Sequence, residues 1–116
     1  KLTVMYGHDY AALEGLLCGA DGWLSGFPAV LPKQCRALWD VCQEKDVDKA
    51  IAVHQKMQPY IDYFFNDKKD GVPHWQEICK YTLNVQGLPA GKPRMPLGEL
   101  DDENKRKVEK LLADMM

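Results

Sequence analysis

Gly7, His8 and Asp9 stand together directly after the apolar run of residues 2–6, and Leu24, Ser25 and Gly26 close a second short run. His8 could offer a general base, since imidazole titrates near neutrality, but the expected role is that of a loop residue that tunes the shape of a pocket. Gly7 either lets a backbone approach substrate closely or serves the needs of a tight turn. The Asp9 carboxylate either caps the helix that follows or contacts substrate, and a capping carboxylate can do both. The other two histidines carry less chemistry. His54 falls on the apolar side of a helical pattern, as a hydrogen-bonded core histidine does, and His74 sits beside Trp75 near a helix start. No carboxylate or second histidine stands at ligand spacing from any of the three, so no metal is expected. The cysteines at 18, 35, 42 and 79 have neither zinc-ligand spacing nor the density of a disulfide-stapled domain. They are expected to be reduced thiols in a cytoplasmic protein, with Cys35 and Cys42 sharing one helix face as small hydrophobes.

The elements that must position these residues follow from the spacing. Residues 2–6 are partly β-branched and stop at Gly7, as a strand entering a turn does. Asp9 is then placed to cap a helix through Ala12, Leu13, Leu16 and Leu17, which Gly19 ends. Asp21 and Gly22 lead into a second strand at residues 23–25. Strand, helix, strand is the unit of a parallel sheet, and both sets of candidate residues fall at the C-terminal strand ends, where barrel enzymes build their sites. Beyond Pro32 only helices are expected. One covers residues 34–44. The next is capped by Asp46 and carries Val47, Ala50, Ile51, His54, Met57, Ile61, Phe64 and Phe65, with Pro59 expected to kink it. A third holds Trp75, Ile78, Cys79, Thr82 and Leu83 and ends near Gly87. After a Pro- and Gly-rich loop at residues 88–98, a last helix starts at Asp101 or Asp102 and buries Val108, Leu111, Leu112 and Met115.

Composition narrows the function classes. With 46% apolar and 28% charged residues among 116, the chain reads as a soluble globular protein. No apolar run approaches the ~20 residues of a membrane span, and residues 1–20 do not show the basic-then-apolar pattern that reads as a signal peptide. The net charge of -2 is spread in mixed sign, with no basic stripe, so nucleic acid is not an expected partner. Two parallel strands and one crossover helix cannot cover both faces of a sheet. Lys1 also enters the first strand with no polar lead-in, so an upstream segment is expected, with a partner chain supplying the missing strands as the alternative.

Taken in order, Gly7-His8-Asp9, Leu13-Glu14-Gly15-Leu16, the run from Gly19 through Ala20-Asp21-Gly22-Trp23-Leu24-Ser25 to Gly26, and Pro32 resemble the end of the dihydrodipicolinate synthase and N-acetylneuraminate lyase family. The tail is similar too, with Ala50, the stretch through Pro59, and the loop Lys92-Pro93-Arg94-Met95-Pro96-Leu97. The resemblance implies an α/β fold: the C-terminal part of a (β/α)8 TIM barrel, with strands seven and eight in residues 1–45 and a helical extension in residues 46–116. It implies a lyase working on pyruvate or a related 2-keto acid through a lysine Schiff base, without a cofactor, in a homo-oligomer, dimer or tetramer.

The Schiff-base lysine of such enzymes lies on an earlier strand. Lys1 sits at the N-terminal end of its own strand and is not that nucleophile, so no catalytic residue is expected in this chain and the chain alone is expected to be inactive. Gly7, His8, Asp9, Leu24, Ser25 and Gly26 are then one wall of the substrate pocket, with Leu24 resembling the strand-eight position beside the lysine. Tyr10 and Gly26 stand where sialate-cleaving members carry an acidic residue and a serine, which disfavours a long polyhydroxy substrate. Arg94 is expected to pin the tail loop against the barrel by pairing with a carboxylate. The reading from another class is a non-catalytic helical assembly module, its strand-like start merely an arm.

Overall fold

A computed structural model describes residues 1–116, as two compact units, Lys1–Gln58 and Pro59–Met116. The first unit begins with the expected strand, helix, strand. β1 (Met5–Tyr6) and β2 (Gly22–Trp23) pair in parallel, with Met5 opposite Gly22 and Tyr6 opposite Trp23. Both strands are shorter than the apolar runs suggested. Leu24 and Ser25 lie beyond β2, although the Leu24 amide still donates to Tyr6 O at 2.9 Å. Ahead of β1, Val4 is held by Asp21, whose carboxylate accepts from Val4 N at 2.9 Å and whose amide donates to Val4 O at 2.8 Å.

The two faces of this pair differ sharply. Helix α1 (Ala12–Leu17) packs on one, and Gly15 lies under the Tyr6 ring so closely that a Cβ there would overlap it. Gly15 therefore sits mid-helix for contact, against its weak helix propensity. Trp23, opposite Tyr6, shares this covered face. Alternation puts Met5 and Leu24 on the other face, where they are 52% and 73% exposed.

Behind α1 lie two further helices. A five-residue helix, α2 (Gly26–Val30), was not evident in the sequence. The helix expected over residues 34–44 starts earlier, at Pro32, and forms α3 (Pro32–Gln43). Proline suits that first position because the missing N–H has no helical partner there. α3 packs on α1 and α2, and Leu16, Phe27, Val30, Leu31, Cys35, Leu38 and Cys42 are buried.

Asp46 caps α4 (Val47–Phe65) as anticipated: its Oδ1 accepts from Lys49 N at 3.1 Å, and that bond holds the carboxyl below its ordinary range. The helix runs on through Pro59, and its last residues belong to the second unit. There α5 (Trp75–Val85) and α6 (Asp102–Met115) pack together. Tyr60 is fully buried and hydrogen-bonds Thr82 Oγ1 at 2.8 Å, while Tyr63 donates to Asn104 Oδ1 at 2.8 Å. The last turn of α4 is thus tied to both later helices. Asp101 is the cap of α6, accepting from Asn104 N at 2.8 Å.

Arg94 pairs with no carboxylate of this chain. Its side chain is exposed and makes no ion pair; flanked by Pro93 and Met95-Pro96, it is carried out into solvent. The work falls to other groups. Lys92 pairs with Glu99 at 2.6 Å, Lys80 Nζ donates to Ala90 O at 2.8 Å, and Gly98 N donates to Glu77 Oε1 at 2.9 Å. The other oxygen of Glu77 closes a capping box with His74, accepting from its amide at 3.0 Å, while His74 Nδ1 accepts from Gln76 N at 3.2 Å. One carboxylate therefore starts α5 and anchors the loop that follows it.

Candidate functional site

Five of the six candidate wall residues meet at one point, the C-terminal ends of β1 and β2, and Asp9 is its centre. Asp9 is 6% exposed. Its Oδ1 accepts from Trp23 Nε1 at 3.1 Å, and its Oδ2 accepts from Ser25 Oγ at 2.7 Å and Phe27 N at 3.2 Å. Ser25 Oγ also lies 3.2 Å from Gly7 O. Gly7 and Gly26 leave room around this cluster: a Cβ on Gly7 would meet Leu24 O at 3.7 Å, and one on Gly26 would meet Asp9 Oδ2 at 3.8 Å.

This corrects the capping expectation for Asp9. The residue preceding α1 is Ala11, which makes no side-chain cap bond. Asp9 instead turns toward a helix whose first residue is 17 positions further on and accepts from the second amide of α2, whose own N-cap, Ser25, makes no cap bond. The carboxylate serves that first turn as an ordinary cap would, through an orphan N–H. Two half-buried donors explain the choice, because an indole N–H and a hydroxyl turned inward without acceptors are costly.

His8 and Tyr10 stand outside this cluster. Both are exposed on the loop after β1, with ring centroids 6.4 Å apart edge to face. Leu24 projects from the open face of the strand pair, 73% exposed. His54 is half-buried on α4, and His74 is the N-cap of α5, so the three histidines belong to separate elements.

Trp23 and the Phe27 amide are the members of the site that sequence reasoning passed over. Trp23 had a signal, since an indole N–H next to a buried turn requires an acceptor. A backbone amide carries none. Beneath the cluster, burial pushes the Cys35 thiol up, and the Asp9 carboxylate pushes it the same way. Cys35 and Cys42 are buried, Cys79 is half-buried and Cys18 is exposed. A thiol reagent at neutral pH is accordingly expected to modify Cys18 first and Cys79 more slowly, and to reach Cys35 and Cys42 only on unfolding. Mass spectrometry of timed samples checks the order, and early modification of Cys35 would contradict the packing of α3.

The model of the dihydrodipicolinate synthetase family matches residues 1–115. The chain belongs to that family. It is 31% identical over 115 residues to the 4-hydroxy-tetrahydrodipicolinate synthase of Methanocaldococcus jannaschii, a match that covers 99% of this chain and 38% of that protein. A crystal structure of a dihydrodipicolinate synthase aligns with a TM-score of 0.76 at 31% identity, covering 98% of this chain and 38% of the other. A catalytic-lysine mutant of the Ruminococcus gnavus sialic acid aldolase shares the fold, with a TM-score of 0.79 at 20% identity over 96% of this chain and 35% of its own. The chain thus spans less than two fifths of the length of these family members, which are TIM-barrel proteins. Its own form, two short parallel strands and six helices, is a predominantly helical part of that fold.

Proposed function

We propose that this chain is the closing part of a (β/α)8-barrel lyase of the dihydrodipicolinate synthetase family, with β1 and β2 as strands seven and eight. Residues 1–45 are then the last two βα units and residues 46–116 the helical extension. The observation that carries the reading is the strand pair itself. One face is packed by α1, while the other offers Met5 and Leu24 to solvent, where the remaining burial would gain at most about 1.5–3 kcal/mol for Leu24 and about half of that for the half-covered Met5. Inside a closed barrel that face is the core, and the Asp9 cluster stands at its C-terminal mouth.

The chemistry proposed for the complete barrel is that of a lysine Schiff base. A neutral lysine amine adds to the ketone of pyruvate or a related 2-keto acid and water is lost. The resulting iminium accepts the electron pair of a C–C or C–H bond that breaks at the adjacent carbon, and the enamine so formed gives that pair to a proton or to an aldehyde carbon. Aldol cleavage, condensation and dehydration all use that sink. The R. gnavus relative has a catalytic lysine. In this chain Lys1 is at the far end of β1 from the mouth, so the amine comes from an earlier strand, and Gly7, His8, Asp9, Leu24, Ser25 and Gly26 contribute one wall of the pocket. Reduced thiols fit a cytoplasmic enzyme, and the helical extension is the surface through which a homo-oligomer, dimer or tetramer, would form.

Borohydride reduction in the presence of pyruvate tests this reading. The polypeptide that carries this segment behind the six earlier strands is expected to gain one pyruvate-derived adduct on a lysine outside residues 1–116, and the 116-residue chain by itself none. No adduct on any lysine of the complete polypeptide would sink the reading, and an adduct on Lys1 would overturn its placement. The rival, a non-catalytic helical assembly module, draws support from the separate core of Pro59–Met116. It predicts no adduct in either sample.

A further inference from the structure

We propose that Asp9 is the positioning residue of the mouth: its carboxylate is held by three protein donors and acts on the reaction through the backbone of residues 24–27, without touching substrate. The catalytic half of this inference rests on the barrel-lyase reading, whereas the clamp is a property of this chain.

An ionised carboxylate offers about four lone-pair directions. Three are occupied here, by Trp23 Nε1, Ser25 Oγ and Phe27 N, in a residue with 6% of its surface left to solvent. With three donors in place and so little of the residue exposed, the carboxylate has little left to offer a substrate hydroxyl, and displacing the Phe27 amide to make room would leave a buried N–H without an acceptor, which is the costly side of hydrogen bonding. The three donors come from β2, from the residue before α2 and from the first turn of α2. Through them one carboxylate fixes the loop after β2 against the loop after β1. Leu24 lies between two clamped residues, and Ser25 Oγ is held between Asp9 and Gly7 O. The wall that a substrate would meet is therefore built before substrate arrives.

Asparagine separates the clamp from the shape of the side chain. It replaces one acceptor oxygen with an NH2 group, and whichever way the amide is turned an N–H donor faces it: Trp23 Nε1 on one side, Phe27 N on the other. Ser25 can rotate its hydroxyl to accept; the other two cannot.

The test joins an exchange measurement on this chain with kinetics on the complete polypeptide. Asp9→Asn is expected to speed hydrogen exchange of the Phe27 amide and the Trp23 indole at least about tenfold. In the complete polypeptide, kcat is expected to fall on the order of 10- to 100-fold, as a misplaced wall does, with KM changed less than about threefold for plain and hydroxylated aldehyde partners alike. Ser25→Ala and Trp23→Phe each remove a single donor and are expected to lower kcat less, again with KM held; they decide the matter if Asp9→Asn does not accumulate as folded protein. A tenfold or greater rise in KM confined to a hydroxylated partner, with kcat kept, would make Asp9 a substrate ligand and overturn the proposal. Unchanged exchange at Phe27 and Trp23 would remove the clamp. Absence of a pyruvate adduct in the unsubstituted polypeptide would strike the lyase reading alone, and the exchange arm would still decide the clamp.

Discussion

Replacing Phe27 with alanine is expected to destabilise the chain by about 3–5 kcal/mol, the range for deleting a fully buried aromatic side chain. Phe27 is 1% exposed and lies on α2, which has five residues and too little backbone hydrogen bonding to persist unaided. What holds α2 is packing on α3 from below and the Asp9 carboxylate on the Phe27 amide from above. Removing the ring takes away the larger part of the first, leaving Val30, and slackens the second, because the amide that Asp9 accepts from is carried by the same residue. Such a loss is a large share of the stability of any small domain. Urea unfolding followed by circular dichroism measures it, and a change under about 1 kcal/mol would show that α2 is not part of the core.

Tyr60 is the matching case in the second unit. It is fully buried, stacks on Phe64 at 6.3 Å between ring centroids, and shares a hydrogen bond with Thr82, which is also fully buried. Tyr60→Ala is expected to cost about 3–5 kcal/mol through the cavity it opens. Tyr60→Phe keeps the ring and removes only the hydroxyl, so it is expected to cost about 1–2 kcal/mol, the penalty for a buried hydroxyl that loses its partner. The two variants together separate packing from hydrogen bonding at one site. Equal losses would mean that the Tyr60 and Thr82 pair, not the ring, holds the last turn of α4 to α5.

These two residues also mark what was legible in the amino-acid sequence. The long helices were, because their signals are local: Asp46 and Asp101 each bond an amide three residues on, and the apolar positions of α4 and α6 recur at helical spacing. The parallel pairing of the two apolar runs was legible as well, since a helix joins them. α2 was not. Its residues, Gly26, Phe27, Pro28, Ala29 and Val30, carry neither a clear period nor a cap, and the acceptor for its first turn comes from a residue 18 positions earlier. The same long-range bond misdirected the reading of Asp9, for which a local cap on α1 was the natural expectation until two side-chain donors and an amide claimed it. Strand lengths were overestimated for a related reason. A β-rich run becomes a strand only where a neighbour pairs with it, and β1 and β2 have only each other. The grouping of Gly7, Asp9, Leu24, Ser25 and Gly26 at one end of the pair followed from strand direction alone, whereas Trp23 entered the cluster through an indole N–H whose partner no spacing rule reveals.

Barrel closure is the central claim, and Met5 tests it most directly, because it occupies the face of β1 that α1 leaves open. With Cys18 replaced by alanine, a cysteine at position 5 in this chain is expected to react with a charged thiol reagent at close to the rate of a free thiol. In the polypeptide that carries all eight strands the same cysteine is expected to be protected by roughly a hundredfold or more, as a core position is. Equal reactivity in the two would place Met5 on an outer surface and contradict the assignment of β1 and β2 as the strands that close a barrel.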